Sequence, residues 1–223
     1  FSSTVNCLNA SFTDLSTFLP GQGPVSWLWN FGDFTTSTSP NPTHPYLPGT
    51  YTVTLTVTNA AGCQATISKT VVVAPLPTPT VSASPSPACV GQPVQFSASA
   101  PNIISWLWNF NDGSTNGSQN PSHSYLNTGT YNCTLTVVDN KGCTNTVPLS
   151  LTVNAAPPPA PITWTPALTV CAGTPVLLTA PAGSGYTYLW STNATTPTLT
   201  VTTSGTYSVV VTNANGCTML PDS

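Results

Sequence analysis

A long internal repeat limits the folds that this chain can adopt. The stretch Trp-Leu-Trp-Asn-Phe-x-Asp at residues 27–33 returns at residues 106–112. After each copy come Asn-Pro-x-His-x-Tyr and then Gly-Thr-Tyr, in the same order. The equivalent positions of the first and second copies are Trp29 and Trp108, His44 and His123, and Tyr51 and Tyr131. Motifs that recur in a fixed order at a fixed period indicate tandem modules, each one a small folding unit.

The residue pattern inside each module predicts strands. From Tyr51 to Thr58, apolar side chains alternate with threonines, which is the period of a strand with one buried face. Short segments of this kind, separated by Gly, Pro and Asn turns, predict an all-β chain of antiparallel β-sandwiches. No stretch has helical periodicity.

Two proline-rich stretches set the expected module boundaries. Residues 74–79 and 154–161 predict stiff linkers, so we expect modules at 1–74, 75–154 and 155–223, arranged as a rod. The third module keeps Trp190 and a strand at 205–213 that contains Tyr207, but it lacks the Asn-Pro-x-His-x-Tyr motif of the first two modules. We expect its last strand to be incomplete, because the native chain continues or because a neighbouring copy donates the strand.

Charged residues make up only 3% of the 223 residues, and the net charge is −3. Basic patches for nucleic acid and polybasic membrane contacts are therefore excluded, and no apolar run is long enough for a membrane helix. We expect the Thr-, Ser- and Asn-rich surface to meet glycans or other copies of the chain.

The cysteines follow the repeat, with one near the start and one near the end of each module. The pairs Cys7–Cys63, Cys89–Cys143 and Cys171–Cys217 are the expected disulfides, one within each module. Sequence alone does not prove disulfide connectivity. Metal binding by these cysteines ranks far below disulfide formation, because the chain has no CxxC half-site. Disulfides place the protein in an oxidising compartment. Cys133 takes the place of Val53 in the first module, so we expect it to be buried and inert.

The combined motifs of the first two modules resemble the PKD domain family, and the third resembles related Ig-like repeats of bacterial surface proteins. Tandem arrays of this kind, with Gly-Cys after the strand that contains the Tyr, are similar to the giant adhesins and gliding-associated surface proteins of Bacteroidota. The resemblance implies an Ig-like fold, secretion to the cell surface, and a stalk, filament or adhesive role. Asn30 and Asn109 stand where the family's turn has its first Asp, so a calcium site is not expected.

The candidate functional side chains have mostly structural interpretations. His44 and His123 are expected to hold their loops by hydrogen bonds, and the Trp positions are expected to fill the cores. On the opposite face of the Trp strand, one leucine recurs in every module, and we expect it to make lateral contacts. These leucines are Leu28, Leu107 and Leu189.

The sequence therefore predicts a structural or adhesive repeat segment of an extracellular filament or stalk, without catalytic, cofactor or metal residues. Its expected partners are copies of itself and surface glycans. The alternative is a set of polysaccharide-binding accessory modules of a secreted enzyme.

Overall fold

A computed structural model of the chain describes residues 1–18, 23–159, 161–166 and 169–219. The described residues form strands and turns without a helix, and so include no helix that could span a membrane. Two predicted features lie outside them in part. These are the second linker, at Ala160, and the incomplete last strand of the third repeat, at residues 220–223.

The first repeat is a sandwich of two antiparallel sheets, one ordered β1-β2-β5 and the other β4-β3-β6-β7. Its described strands are β1 (Ser2–Asn6), β2 (Asn9–Thr13), β3 (Pro24–Asn30), β4 (Thr36–Ser37), β5 (Thr43–Pro45), β6 (Gly49–Asn59) and β7 (Gln64–Val73).

The second repeat has the same plan, with sheets β13-β10-β8 and β12-β11-β14-β15-β9. Its described strands are β8 (Thr80–Ser84), β9 (Ala88–Cys89), β10 (Pro93–Ser99), β11 (Ile103–Asn109), β12 (Thr115–Asn116), β13 (Ser122–Ser124), β14 (Gly129–Asp139) and β15 (Thr144–Asn154). The short strand β9 pairs in parallel with the end of β15, where Asn154 lies opposite Cys89.

The third repeat has sheets β16-β17-β19 and β18-β20 in its described part. Its strands are β16 (Thr163–Thr165), β17 (Val176–Thr179), β18 (Thr187–Trp190), β19 (Thr198–Val201) and β20 (Val209–Thr212). The prediction of a strand over 205–213 was wrong at its start, since β20 begins only at Val209. In the first repeat, the equivalent residues Gly49–Tyr51 pair with Val71–Val73 of β7, and no described strand of the third repeat supplies that pairing.

The alternation of threonine and apolar residues explains how the sheets pack. Val53, Leu55 and Val57 of β6 are buried, while the intervening threonines lie on the outer face. The buried face packs against Phe12 of β2 and Trp29 of β3, whose rings are 5.3 Å apart. Branched and aromatic side chains suit such a pleated, half-buried surface. The fold class predicted from the strand pattern is confirmed.

The described chain separates into two compact units. The first contains Phe1–Thr80, Ser99–Leu107 and Leu135–Val147, and the second contains Val81–Ala98, Trp108–Thr134 and Pro148–Ser223. Each unit includes one point at which the chain passes from one repeat to the next.

Candidate functional site: the joints between repeats

The first joint lies where the chain leaves the first repeat. The end of β7 pairs with the start of β6, Val73 opposite Gly49, so the chain leaves at that end of the sandwich. Cys7 lies at the same end, because its neighbour Leu8 accepts a 2.6 Å hydrogen bond from the backbone of Tyr46, and the Tyr46 ring packs on Tyr51 at the start of β6. We call this the trailing end of a repeat.

The opposite end of the sandwich carries the Gly-Cys turn. Asn59, the last residue of β6, accepts hydrogen bonds from the backbone N–H groups of Ala61 and Cys63 at 3.0 and 2.9 Å. In the second repeat, Asp139 accepts the equivalent bonds from Lys141 and Cys143 at 2.9 and 2.8 Å. We call this the leading end, because the chain enters the second repeat beside it. There, the Asn145 side chain donates a 2.8 Å hydrogen bond to the carbonyl of Pro77 in the linker.

A disulfide crosses the first joint. Cys7 at the trailing end of the first repeat bonds to Cys143 at the leading end of the second, with Cα atoms 5.3 Å apart. The second joint repeats this arrangement, since Cys89 bonds to Cys217 with Cα atoms 5.6 Å apart. Asn213 donates a 2.8 Å hydrogen bond to the carbonyl of Ala155 in the second linker. Each repeat is therefore bonded to the next beside its linker.

The predicted pairing within each repeat was wrong. Neither Cys7–Cys63, Cys89–Cys143 nor Cys171–Cys217 forms. The reason is the length of β6. Its eleven residues separate the trailing and leading ends by about 34 Å at the usual rise of a strand. A disulfide needs Cα atoms within about 7 Å, so Cys7 and Cys63 cannot meet in a folded repeat.

Three cysteines carry free thiols. Cys63 at the leading end of the first repeat and Cys171 at the start of the third are both exposed. Cys133 is buried in the second repeat, where its sulfur lies 3.1 Å from the Tyr125 hydroxyl. Burial raises the pKa of the Cys133 thiol, despite an opposing effect of the hydrogen bond with Tyr125. A buried, protonated thiol is a poor nucleophile.

A histidine–aspartate bond fixes the loops of each PKD-type motif. His44 Nε2 lies 2.7 Å from Asp33 Oδ2, and the His44 ring stacks on Phe31 at 4.1 Å. The second repeat has the same contacts at the same distances, between His123, Asp112 and Phe110. In each case the histidine lies on one sheet, and the aspartate follows a strand of the other. The bond therefore ties the two layers together.

These bonds are charge-assisted on the aspartate side. Partial burial alone would raise the pKa of Asp33, but hydrogen bonds from Thr35 and His44 outweigh it and lower the pKa below its ordinary value. The pKa of Asp112 is lowered in the same way, against burial, by hydrogen bonds from Ser114 and His123. In their ionised form, both carboxylates therefore stabilise the folded state.

The histidine loop lacks the geometry of a catalytic relay. In such a relay the acid and the nucleophile meet opposite nitrogens of the imidazole ring. Here Ser114 Oγ, at 3.5 Å, and Asp112 Oδ2 both face Nε2 of His123. The serine hydroxyl already donates a 2.6 Å bond to Asp112 Oδ1. The arrangement holds a turn and presents no activated nucleophile.

The aromatic residues and leucines that recur in the repeats lie on opposite faces of the sheets. The buried tryptophans are Trp29, Trp108 and Trp190, each at most 1% exposed, so none offers a stacking surface to a sugar. The hydroxyls of the Gly-Thr-Tyr residues Tyr51, Tyr131 and Tyr207 donate bonds to backbone carbonyls four residues earlier. The recurrent leucines Leu28, Leu107 and Leu189 are about half exposed, at 50%, 48% and 50%.

Sequence reasoning missed some residues of the joints. Asn145 and Asn213, which bind the linker carbonyls, occupy different positions of their repeats, so the repeat pattern gave no signal for them. Phe34, outside the joints, is fully exposed and has a positive φ of 71°, at the position that Gly113 takes in the second repeat.

Comparisons with known proteins identify two successive domains in this chain. The PKD domain family model matches residues 3–74 and 76–153. Collagenase ColA of Bacillus cereus is 64% identical over 39 residues, which are 17% of this chain and 4% of the collagenase. A microbial collagenase of Vibrio alginolyticus is 38% identical over 71 residues, which are 30% of this chain and 9% of the relative.

Among solved structures, the PKD1 domain of the Vibrio cholerae metalloprotease PrtV is 36% identical, with a TM-score of 0.31. The match covers 33% of this chain and 90% of that domain. The chain spans less than a tenth of the length of the two collagenases.

Proposed function

Because the chain belongs to the PKD domain family, we propose that it is a non-catalytic structural segment of an extracellular stalk or filament. We place this stalk in a surface adhesin or gliding-associated filament of the Bacteroidota type. The observation that carries the proposal is the pair of disulfides between successive repeats. A bond that crosses a joint adds little to a binding site inside one repeat, but it transmits tension from one repeat to the next.

The disulfides also support an extracellular location. Such bonds persist in oxidising compartments and are rare where glutathione keeps thiols reduced. Each one closes a loop of well over 100 residues and stabilises the fold by about 5 kcal/mol in the chain-entropy model. A chain with few charges gains little stability from ion pairs. In this chain the two disulfides supply stability that ion pairs do not.

We infer that lateral contacts between copies use the outer face of the long sheets. Leu28 lies opposite Thr56 on this face, and Thr56 shares a 2.9 Å hydrogen bond with Thr66. Thr136 and Thr146 form the same pair in the second repeat. The threonine side chains of this face are uncharged, and because neighbouring hydroxyls bond to each other, its polar groups are partly satisfied. A half-exposed leucine can then be covered by a second copy at low desolvation cost.

Sedimentation velocity over a range of concentrations tests the lateral contact. Substituting aspartate for Leu28, Leu107 and Leu189 should abolish concentration-dependent association, because three carboxylates would have to be buried. The matched control replaces Leu47 and Leu126, which are 76% and 83% exposed in loops, with aspartate. If the loop variant loses association as well, or the face variant keeps it, the outer face is not the contact.

A polysaccharide-binding role is the second candidate. It is favoured by Trp164 on β16, which is 45% exposed and so can stack on a sugar ring. Binding of soluble polysaccharides should then quench tryptophan fluorescence in the parent chain and not in a Trp164→Phe variant. Equal quenching in both, or none in either, counts against this role.

A further inference from the structure

The disulfides follow one rule along the chain. The early cysteine of a repeat, at its trailing end, bonds to the Gly-Cys cysteine at the leading end of the following repeat. Among the six cysteines of residues 1–223 that occupy the early and Gly-Cys positions, this rule leaves two without a partner. They are Cys63, the Gly-Cys cysteine of the first repeat, and Cys171, the early cysteine of the third.

The two remaining thiols are complementary under that rule. We propose that the exposed Cys171 and Cys63 are complementary halves of a further joint of the same kind, and that two copies of residues 1–223 therefore join head to tail through a Cys171–Cys63 disulfide. The inference rests on the proposed structural role and names its partner, a second copy of the chain.

The turn that carries Cys63 already has the conformation of a bonded Gly-Cys turn. The hydrogen bonds from Cys63 and Ala61 to Asn59 Oδ1 match those that Asp139 accepts beside the bonded Cys143. Gly62 has a φ of 80°, against 81° and 79° in the turns before the two bonded cysteines. Cys63 therefore needs no rearrangement of its turn to take the role of Cys143.

The turn that carries Cys171 likewise matches its bonded counterpart. The Thr174 N–H donates a 3.1 Å bond to the Cys171 carbonyl, as Gln92 does to Cys89. Gly173 has a φ of 85°, close to the 77° of Gly91.

Exposure separates these two remaining cysteines from the four bonded ones, of which Cys7 is half-buried and the other three are buried. Cys89, Cys143 and Cys217 are buried, at 7%, 5% and 0% exposed, whereas Cys63 and Cys171 are exposed. Cys171 also lines an open cavity of about 710 Å³ with Val176, so reagents and a second chain can reach its thiol. In the bonded joints, the neighbouring repeat covers these cysteine positions. At Cys63 and Cys171 nothing in the described part of the chain covers them.

The bond requires an oxidant, and a low-molecular-weight disulfide is sufficient. The thiolate of Cys171 attacks one sulfur of that disulfide and releases one thiol, leaving a mixed disulfide on Cys171. The thiolate of Cys63 from the second copy then attacks the Cys171 sulfur and releases the second thiol. Two protein thiols have lost two protons and two electrons, and the oxidant has become two thiols.

Single-thiol chains test the pairing. In a Cys133→Val background, Cys63→Ser leaves only the Cys171 thiol, and Cys171→Ser leaves only the Cys63 thiol. One chain is converted to its mixed disulfide with glutathione and then mixed with the other, and release of glutathione is followed. Each chain mixed with its own activated form gives the 171–171 and 63–63 rates as controls.

We expect the 63–171 exchange to be at least about tenfold faster than both controls, because complementary ends raise the effective concentration of the two thiols. Oxidised parent chain should give multimers on a non-reducing gel and a cross-linked Cys63–Cys171 peptide by mass spectrometry. Equal rates for all three pairings would overturn the inference, and so would a monomer with both cysteines bonded within one chain. The lateral-contact variants should leave these rates unchanged, so failure here is distinguishable from failure of the outer-face contact.

Discussion

Pulling the chain by its two ends measures the disulfide pattern directly. The bonds Cys7–Cys143 and Cys89–Cys217 shorten the covalent path between the ends to about 66 residues, which extend to roughly 230 Å. After reduction, the full chain of 223 residues should extend to roughly 780 Å. Single-molecule force spectroscopy, with handles on the two termini, reads these limits from the final extension of each trace.

Single substitutions identify which bond limits the extension. Cys7→Ser opens one loop and lengthens the path to about 94 residues, so the limit should rise to roughly 330 Å. Cys63→Ser should leave the limit unchanged, because Cys63 is free. If each repeat instead held its own disulfide, Cys63→Ser would lengthen the path to about 122 residues and the limit to roughly 430 Å. An increase of that size in the Cys63→Ser chain would refute the pairing across joints.

Three further predictions concern the repeats themselves. Gly32→Ala should destabilise the first repeat by at least about 2 kcal/mol in thermal unfolding, because its Cβ would lie 2.6 Å from a backbone oxygen. Gly62→Ala, with a similar φ and open space around it, should cost only about 1 kcal/mol, and equal losses would remove the steric explanation. Since folding lowers the pKa of Asp33 and Asp112, their contribution is present above a pH of about 4 and is lost as the pH falls through the folded-state pKa. Asparagine at both positions should therefore flatten the loss of stability in acid, and an unchanged pH profile would contradict this. Iodoacetamide should label two thiols of the native chain and spare Cys133 until denaturant is added, so rapid labelling of all three would show that the second core is open.

The fold could be predicted because its signals are local and repeated. The alternation along β6, with Val53 and Leu55 between threonines, defines a buried face without knowledge of what covers it. The recurrence of His44 and Trp29 at the same spacing in the next repeat defines a module. Strands, cores and the histidine loop follow from such patterns, because each depends on residues within one repeat.

The disulfide partners could not be predicted because they depend on where the ends of a folded repeat lie. Each early cysteine is within about 60 residues of the Gly-Cys cysteine of its own repeat, and loop closure favours that shorter pairing. The length of β6 overrides this preference by placing the two cysteines at opposite ends. The start of β20 was missed for a related reason, since the strand that pairs with its first residues in the other repeats is absent from the described part of the third.

The overlap of the two disulfide loops has a consequence for a chain under tension. The loop closed by Cys7–Cys143 and the loop closed by Cys89–Cys217 share residues 89–143, so every residue from Cys7 to Cys217 lies inside at least one closed loop. With disulfides confined to single repeats, both linkers would lie outside every loop, and each would carry the whole load alone. In the observed pattern, force that reaches a linker is divided between the backbone and a disulfide beside it. Adding a Cys171–Cys63 bond between copies would extend this double connection across the junction, which is why the two exposed thiols matter most for the proposed stalk.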